Sequence, residues 1–209
     1  MSQIKNIAQK QESLGGRLCL DFTNTVSWHD SHEKAKESLT SYKKLIDWSL
    51  NTNILTNQQA FALLKRAENC QSQADMVLQQ AIELRESIFR IFSSVSNQET
   101  PSLKDLSALN KFLADAYKNV KIVRTENKYS LDFFSGEEEL DCMFSPIVES
   151  AINVLTSESD LSRVKKCEGY PCGLLFLDTS RNRSRRWCSM ADCGNRAKAK
   201  RFYKNKNSN

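Results

Sequence analysis

The chain has 209 residues, 40% hydrophobic and 26% charged. These are the proportions of a soluble globular protein with room for one substantial core, or for a medium domain plus a small module. It contains no run of about 18 apolar residues, which excludes a transmembrane helix, and the polar opening MSQIKNIAQKQESLGG lacks the apolar stretch of a secretory signal. The expected compartment is therefore the cytoplasm, where clustered cysteines point to metal or redox chemistry rather than to structural disulfides. The formal net charge of +5 is unevenly spread. From Val164 onward twelve Lys/Arg face three acids (Glu168, Asp178, Asp192), a balance of +9, which leaves 18 against 22, or −4, in the preceding part. Such a basic end suits a polyanionic partner, or docks on the acidic body of the same chain.

In chain order, residues 1–13 read as a polar leader with helical potential, ending at Gly15-Gly16. RLCLDF (Arg17 to Phe22) reads as a short strand, brief enough that a helix stays open. Four helices follow. Leu39, Tyr42, Ile46 and Leu50 keep near-helical spacing, and Thr56 with Gln59 three residues on forms a capping-box signature ahead of Ala60, Leu63, Leu64 and Ala67. Val77, Ala81, Leu84, Ile88, Phe92 and Val95 alternate steps of three and four on one face. Beyond Pro101, Ser102 is placed to cap a helix carrying Leu106, Leu109, Leu113 and Ala116. VKIVRT and KYSLDFF around Glu126-Asn127 predict a β-hairpin. Pro146 suits the first turn of a further helix that buries Ile147, Ala151, Val154 and Leu155. TSESDLS (Thr156 to Ser162) reads as the boundary between a domain over 1–160 and a tail over 164–209. The fold class expected is mostly α (α+β): a multihelical N-terminal domain with a small β-hairpin, then a zinc-ribbon-like treble of knuckle, strand and short helix.

Cys167, Cys172, Cys188 and Cys193 form C-x4-C twice, with fifteen residues between the pairs. Two closely spaced thiol pairs on a chain long enough to fold back supply the four corners that Zn2+ prefers. An iron–sulfur cluster also uses four thiolates but at other familiar spacings, and a redox pair would more often be C-x-x-C beside a βαβ pattern. With four protein ligands the site is closed, which argues for a structural ion. A tail of this length cannot bury a sufficient core alone, so metal binding would supply its folding energy. GLLFLD (Gly173 to Asp178) reads as a strand leaving the first knuckle, and Asn195 as the cap of a helix whose N-terminus faces the thiolates. Cys19, Cys70 and Cys142 are isolated and read as buried thiols.

Basic residues surround these cysteines. Arg181, Arg183 and Arg185 alternate, so that an extended segment would present all three on one side. Arg196, Lys200 and Lys204 line one helix face, with Lys198 and Arg201 nearby. The candidate nucleic-acid contacts are Arg181, Arg183, Arg185, Arg186, Arg196, Lys200 and Arg201.

CSMADCGNRAKAKRFY resembles the signature of the CGNR-type zinc finger, named for Cys193-Gly194-Asn195-Arg196, and FLDTSRNRSRRWC is similar to the segment that leads into it. GGRLCLDFTNT (Gly15 to Thr25) resembles the opening motif of the ABATE domain, usually found ahead of this finger. The resemblance spans nearly the whole chain and is most specific in the last 40 residues. It implies a helical N-terminal domain, four cysteine ligands, a DNA-binding finger and a bacterial stress-induced transcriptional regulator.

Other candidate sites are weaker. His29 and His32 in WHDSH lie in polar surroundings and read as a loop rather than a metal site. Asp21, Asn24 and Thr25 are placed to line a small-ligand pocket, against capping or turn duty for the same residue types. No phosphate loop, nucleophile elbow or paired-histidine motif occurs, so the chain is not expected to be an enzyme. The reading is a cytoplasmic regulator that binds DNA through a zinc finger, with a helical domain for sensing or homodimerisation; no particular small-molecule effector is supported. RNA binding, and docking of the basic finger on an acidic partner, are the alternatives.

Overall fold

The computed structural model describes residues 13–31, 33–118, 120–126, 128–132 and 139–206. The polar leader, all but its last residue, and His32 lie outside the described residues.

The centre of the molecule is helix α4 (Gln71–Ser96). Its predicted stripe is the buried one: Ala81, Leu84, Ile88 and Phe92 have no exposed surface and Val77 is buried, while Val95 is half-buried. Against α4 pack α1 (Leu18–Thr23), α2 (Tyr42–Asn51), α3 (Asn57–Asn69) and α5 (Leu103–Lys118). Helix α6 (Phe144–Thr156) closes the layer between α1 and α5, and its face Ile147, Ala151 and Val154 is buried as the spacing predicts. The capping box at the start of α3 forms in both directions, Thr56 Oγ1 accepting from the Gln59 amide and Gln59 from that of Thr56. Ser102 caps α5 through the Asp105 amide at 3.1 Å.

RLCLDF is a helix and not a strand. In α1 the residues Cys19, Leu20, Phe22 and Thr23 are all buried. A short helix enclosed on nearly every side has no polar face, and so no 3.6-residue pattern by which to distinguish it from a buried strand. The two-stranded pair of β1 (Val26–Ser27) and β2 (Lys36–Glu37), and the short helix α7 (Glu158–Leu161), were not foreseen. The predicted hairpin is present as β3 (Lys121–Thr125) and β4 (Lys128–Asp132), in register from Lys121↔Asp132 to Thr125↔Lys128. The chain is thus mostly helical with small antiparallel pairs, as its sequence indicated. No helix among the described residues is long and apolar enough to cross a membrane.

A third pair joins β5 (Val164–Lys166) to β6 (Leu175–Leu177). All three residues of β6 are buried, and successive side chains of a strand point to opposite faces. Leu175 and Leu177, with Val164, belong to the core of the helical body. Phe176 belongs instead to a second apolar cluster with Cys167, Cys172, Cys188, Cys193 and Trp187. One strand therefore serves both cores.

Candidate metal centre and basic surface

The strand pair β5–β6 places Cys167 and Cys172 at its open end, where the Cys167 amide donates to the Leu174 carbonyl at 2.8 Å. The chain returns as a turn over Met190–Gly194, capped by Ser189, whose Oγ accepts from the Asp192 amide at 3.3 Å; this turn carries Cys193 and runs directly into α8 (Asn195–Lys206). Asn195 therefore lies inside the helical path and does not cap it; its side chain donates to the Ala191 carbonyl at 2.9 Å. A Cβ at Gly194 would stand 2.8 Å from Met190 Sδ, so the exposed Met190 side chain would have to shift to admit one.

The four sulfurs lie within 4.8 Å of one another, and all four cysteines are buried. Cys172 and Cys188 are 3.6 Å apart and Cys188 and Cys193 3.7 Å. A tetrahedral ion with metal–sulfur bonds of about 2.3 Å sets its sulfurs about 3.8 Å apart, so the residues present fit a metal ion. Their electrostatics agree. Thiols this close cannot all ionise unless a cation compensates them. Donation from Cys172 and Cys188 holds Cys167 well below the usual thiol range, and in return Cys172 and Cys188 are pushed up. Outer donors complete the site. The Cys188 amide points at Cys167 Sγ at 3.4 Å, and the Arg196 guanidinium donates to Cys193 Sγ at 2.9 Å. Four thiolates around a divalent ion leave a net charge of −2, which Arg196 reduces. The expected helix-terminus contribution thus comes from a side chain.

The arginine loop differs from the extended segment expected of it. Arg183 takes a left-handed φ of +50° and its amide returns to the Ser180 carbonyl at 3.2 Å, so the chain turns and the three arginines do not share a side. The cause is Asp178, a carboxylate with no exposed surface. It accepts from the Ser180 amide and hydroxyl, the Arg185 amide and Lys165 Nζ. Burial opposes its charge, but these donors together hold the carboxyl well below the usual range. This hub was missed by sequence reading; the only signal was a lone acid ahead of a run of arginines.

The seven basic candidates therefore separate. Arg185 lies over the Phe176 ring at 4.5 Å and bonds to the carbonyls of Trp187 and Cys188. Arg186 pairs with Glu168, Arg183 reaches Ser162 Oγ at 3.3 Å, and Arg196 is engaged at Cys193. All seven but Arg185 are exposed, and Arg181, Lys200 and Arg201 make none of these contacts. Helix α8 holds six Lys/Arg and no acid, and it packs mainly against the Met190–Gly194 turn.

Asp21, Asn24 and Thr25 do line one cleft, of about 1090 Å3, between α1, α2 and Leu174. Their polar atoms are already used. Asp21 accepts from Ser13 and the Gly15 amide, Asn24 bonds both the amide and the carbonyl of Leu175, and Thr25 links the Phe22 carbonyl to Arg85. Arg85, buried in α4, was not singled out from the sequence; it pairs with Glu37 at 2.7 Å and Glu86 at 2.9 Å. Cys19 is buried as expected, whereas Cys70 and Cys142 are half-buried.

Comparison with known proteins gives matches to two family models. No curated protein matches the chain. Residues 163–206 match the model of the CGNR zinc finger, and residues 16–158, more than half of the chain, match the ABATE model, described as "Putative stress-induced transcription regulator". The protein belongs to the ABATE family and carries a CGNR zinc finger behind its ABATE domain.

Proposed function

We propose that this chain is a cytoplasmic stress-response transcription regulator that binds duplex DNA through its finger, with Zn2+ as the structural ion and no catalytic role of its own. Four thiolates are soft donors that suit zinc, and a closed four-ligand shell leaves no position for substrate or water. Zinc would hold the two knuckles at the angle from which α8 departs. Cys167, Cys172, Cys188 and Cys193 are its ligands in this reading.

The observation that carries the DNA reading is α8: six basic residues, no acidic one, and little packing against the rest of the molecule. A helix about 10–12 Å across matches the width of the major groove, about 12 Å. Lys200 and Arg201, with Arg181 from the loop below, are the side chains free to meet phosphates or base edges, whereas Arg183, Arg185 and Arg186 chiefly shape the finger. The test is anisotropy of labelled duplex DNA titrated with zinc-loaded protein across a salt series. The slope of log K on log[salt] should flatten by about 0.9 for each contact removed in Lys200→Gln and Arg201→Gln. Absence of salt-dependent affinity for any duplex overturns the reading, and preference for RNA under the same conditions transfers it to RNA.

A further inference from the structure

The loop after β1 joins the helical body to the finger at successive residues. The Arg196 guanidinium carbon lies over the Trp28 ring, 5.8 Å from its centroid. The His29 amide donates to the carbonyl of Cys172, one of the four clustered cysteines, at 3.1 Å. Asp30 pairs with Lys166 at 2.6 Å, and a Cβ on Gly173, whose φ is +67°, would stand 2.9 Å from the Asp30 carboxylate. The His29 ring stacks on Phe89 of α4, with centroids 3.7 Å apart and planes at 11°. Trp28 itself takes a φ of +66°. A bulky side chain adopts this left-handed backbone only where its surroundings impose it.

We propose that Arg196 is a positioning residue rather than a nucleic-acid contact: it pins the finger to the helical body by bridging Cys193 Sγ and Trp28, and so fixes the direction in which α8 leaves the molecule. The guanidinium is suited to this because it reaches both groups at once: an N–H donates to the sulfur at 2.9 Å while Cζ lies 5.8 Å from the indole centroid. An ammonium has the charge but no planar face and no fork. Lys34 Nζ also lies over the Trp28 ring, 6.0 Å from its centroid, so two cations meet the indole. The sulfur that Arg196 meets belongs to one of the four proposed metal ligands, so an ion that fixes this knuckle also fixes the contact, and metal occupancy and the placement of the 28–30 loop become linked. This inference rests on the metal reading of the cysteines but not on DNA binding.

Hydrogen exchange of the His29 amide, followed by NMR in the zinc-loaded full chain, reads the latch directly, because that amide is bonded across it. Arg196→Gln and Trp28→Leu should each speed its exchange about tenfold, while amides of the α4 core stay unchanged. Arg196→Lys should fail to restore protection, and chelation of the wild-type protein should reproduce the loss. Lys200→Gln should leave the His29 amide protected whatever it does to DNA affinity, which keeps this test separate from that of the DNA reading. If Arg196→Gln sheds its zinc, Trp28→Leu carries the test with the metal site intact. Exchange in Trp28→Leu within twofold of wild type overturns the latch, and so does full protection in Arg196→Lys.

Discussion

Asp178 shows how one residue determines the meaning of several others. Because its carboxylate is fully buried and paired with Lys165 at 2.7 Å, Asp178→Asn should destabilise the protein by about 2–3 kcal/mol. That is below the ~3–5 kcal/mol typical of breaking a fully buried pair, since the lysine is partly solvated. Its pKa is lowered in the folded protein, so the stabilisation is present above the unfolded value, about 3.9, and is lost as pH falls through the native one. The gap between the urea midpoints of wild type and Asp178→Asn should therefore be full at pH 7 and begin to narrow only below about pH 4, closing progressively as pH falls towards the native value. The cysteines divide by the same logic of environment. Burial pushes the Cys19 thiol up to about 12, which keeps it neutral and inert. The four clustered sulfurs are instead arranged to be ionised together by a cation. Cys188→Ser should lower zinc well below one ion per chain, while Cys19→Ser should leave the stoichiometry at one by elemental analysis. A normal zinc content in Cys188→Ser would refute the four-thiolate site.

At the scale of elements, strand β6 separates two contributions by alternation. Leu175→Ala, on the body side, should cost about 2–5 kcal/mol of global stability. Phe176→Ala, on the cysteine side, should chiefly speed zinc transfer to a chelator, since it strips the apolar wall from the sulfurs and the support from Arg185. Equal effects of both variants on both readouts would contradict this division. How far each element was legible follows from how local its cause is. The stripe of α4, the capping box of α3 and the hairpin at Glu126 are written in spacings of a few residues, and the four cysteines in a spacing of two pairs; all were readable. The helical state of α1, the turn at Arg183 and the employment of Arg185 and Arg196 were not. Each is imposed by a partner distant in sequence: a surrounding core for α1, the buried Asp178 carboxylate for the loop, and Trp28 with Cys193 for Arg196. A run of arginines looks alike whether it faces phosphate or carbonyl oxygen. Only the tertiary neighbours distinguish these cases.

For the molecule as a whole, the consequence is that finger and body should not melt independently. Val164, Leu175 and Leu177 contribute to the same core as α1, α4 and α6, and Asn24 closes both polar atoms of Leu175 from the α1 side. Unfolding the finger would expose those side chains and remove one wall of the helical core, so the free energy of metal binding stabilises the body as well as the tail. A ligand bound only by the folded state adds RT ln(1 + [L]/Kd), about 2.7 kcal/mol when the free ion is at a hundredfold excess over Kd. Because the ligands must shed protons to bind, this increment should shrink as pH falls towards 5. The measurement is the helical ellipticity at 222 nm during thermal unfolding, with and without a strong chelator. Residues of the body supply most of that signal, since all the long helices but α8 lie within it. The expected result is one cooperative transition that shifts to lower temperature by several degrees on chelation. Were the two parts merely tethered, the main transition would stay in place and only the small contribution of α8 would disappear. The outcome therefore decides whether loss of the ion is felt by α8 alone or by the entire fold.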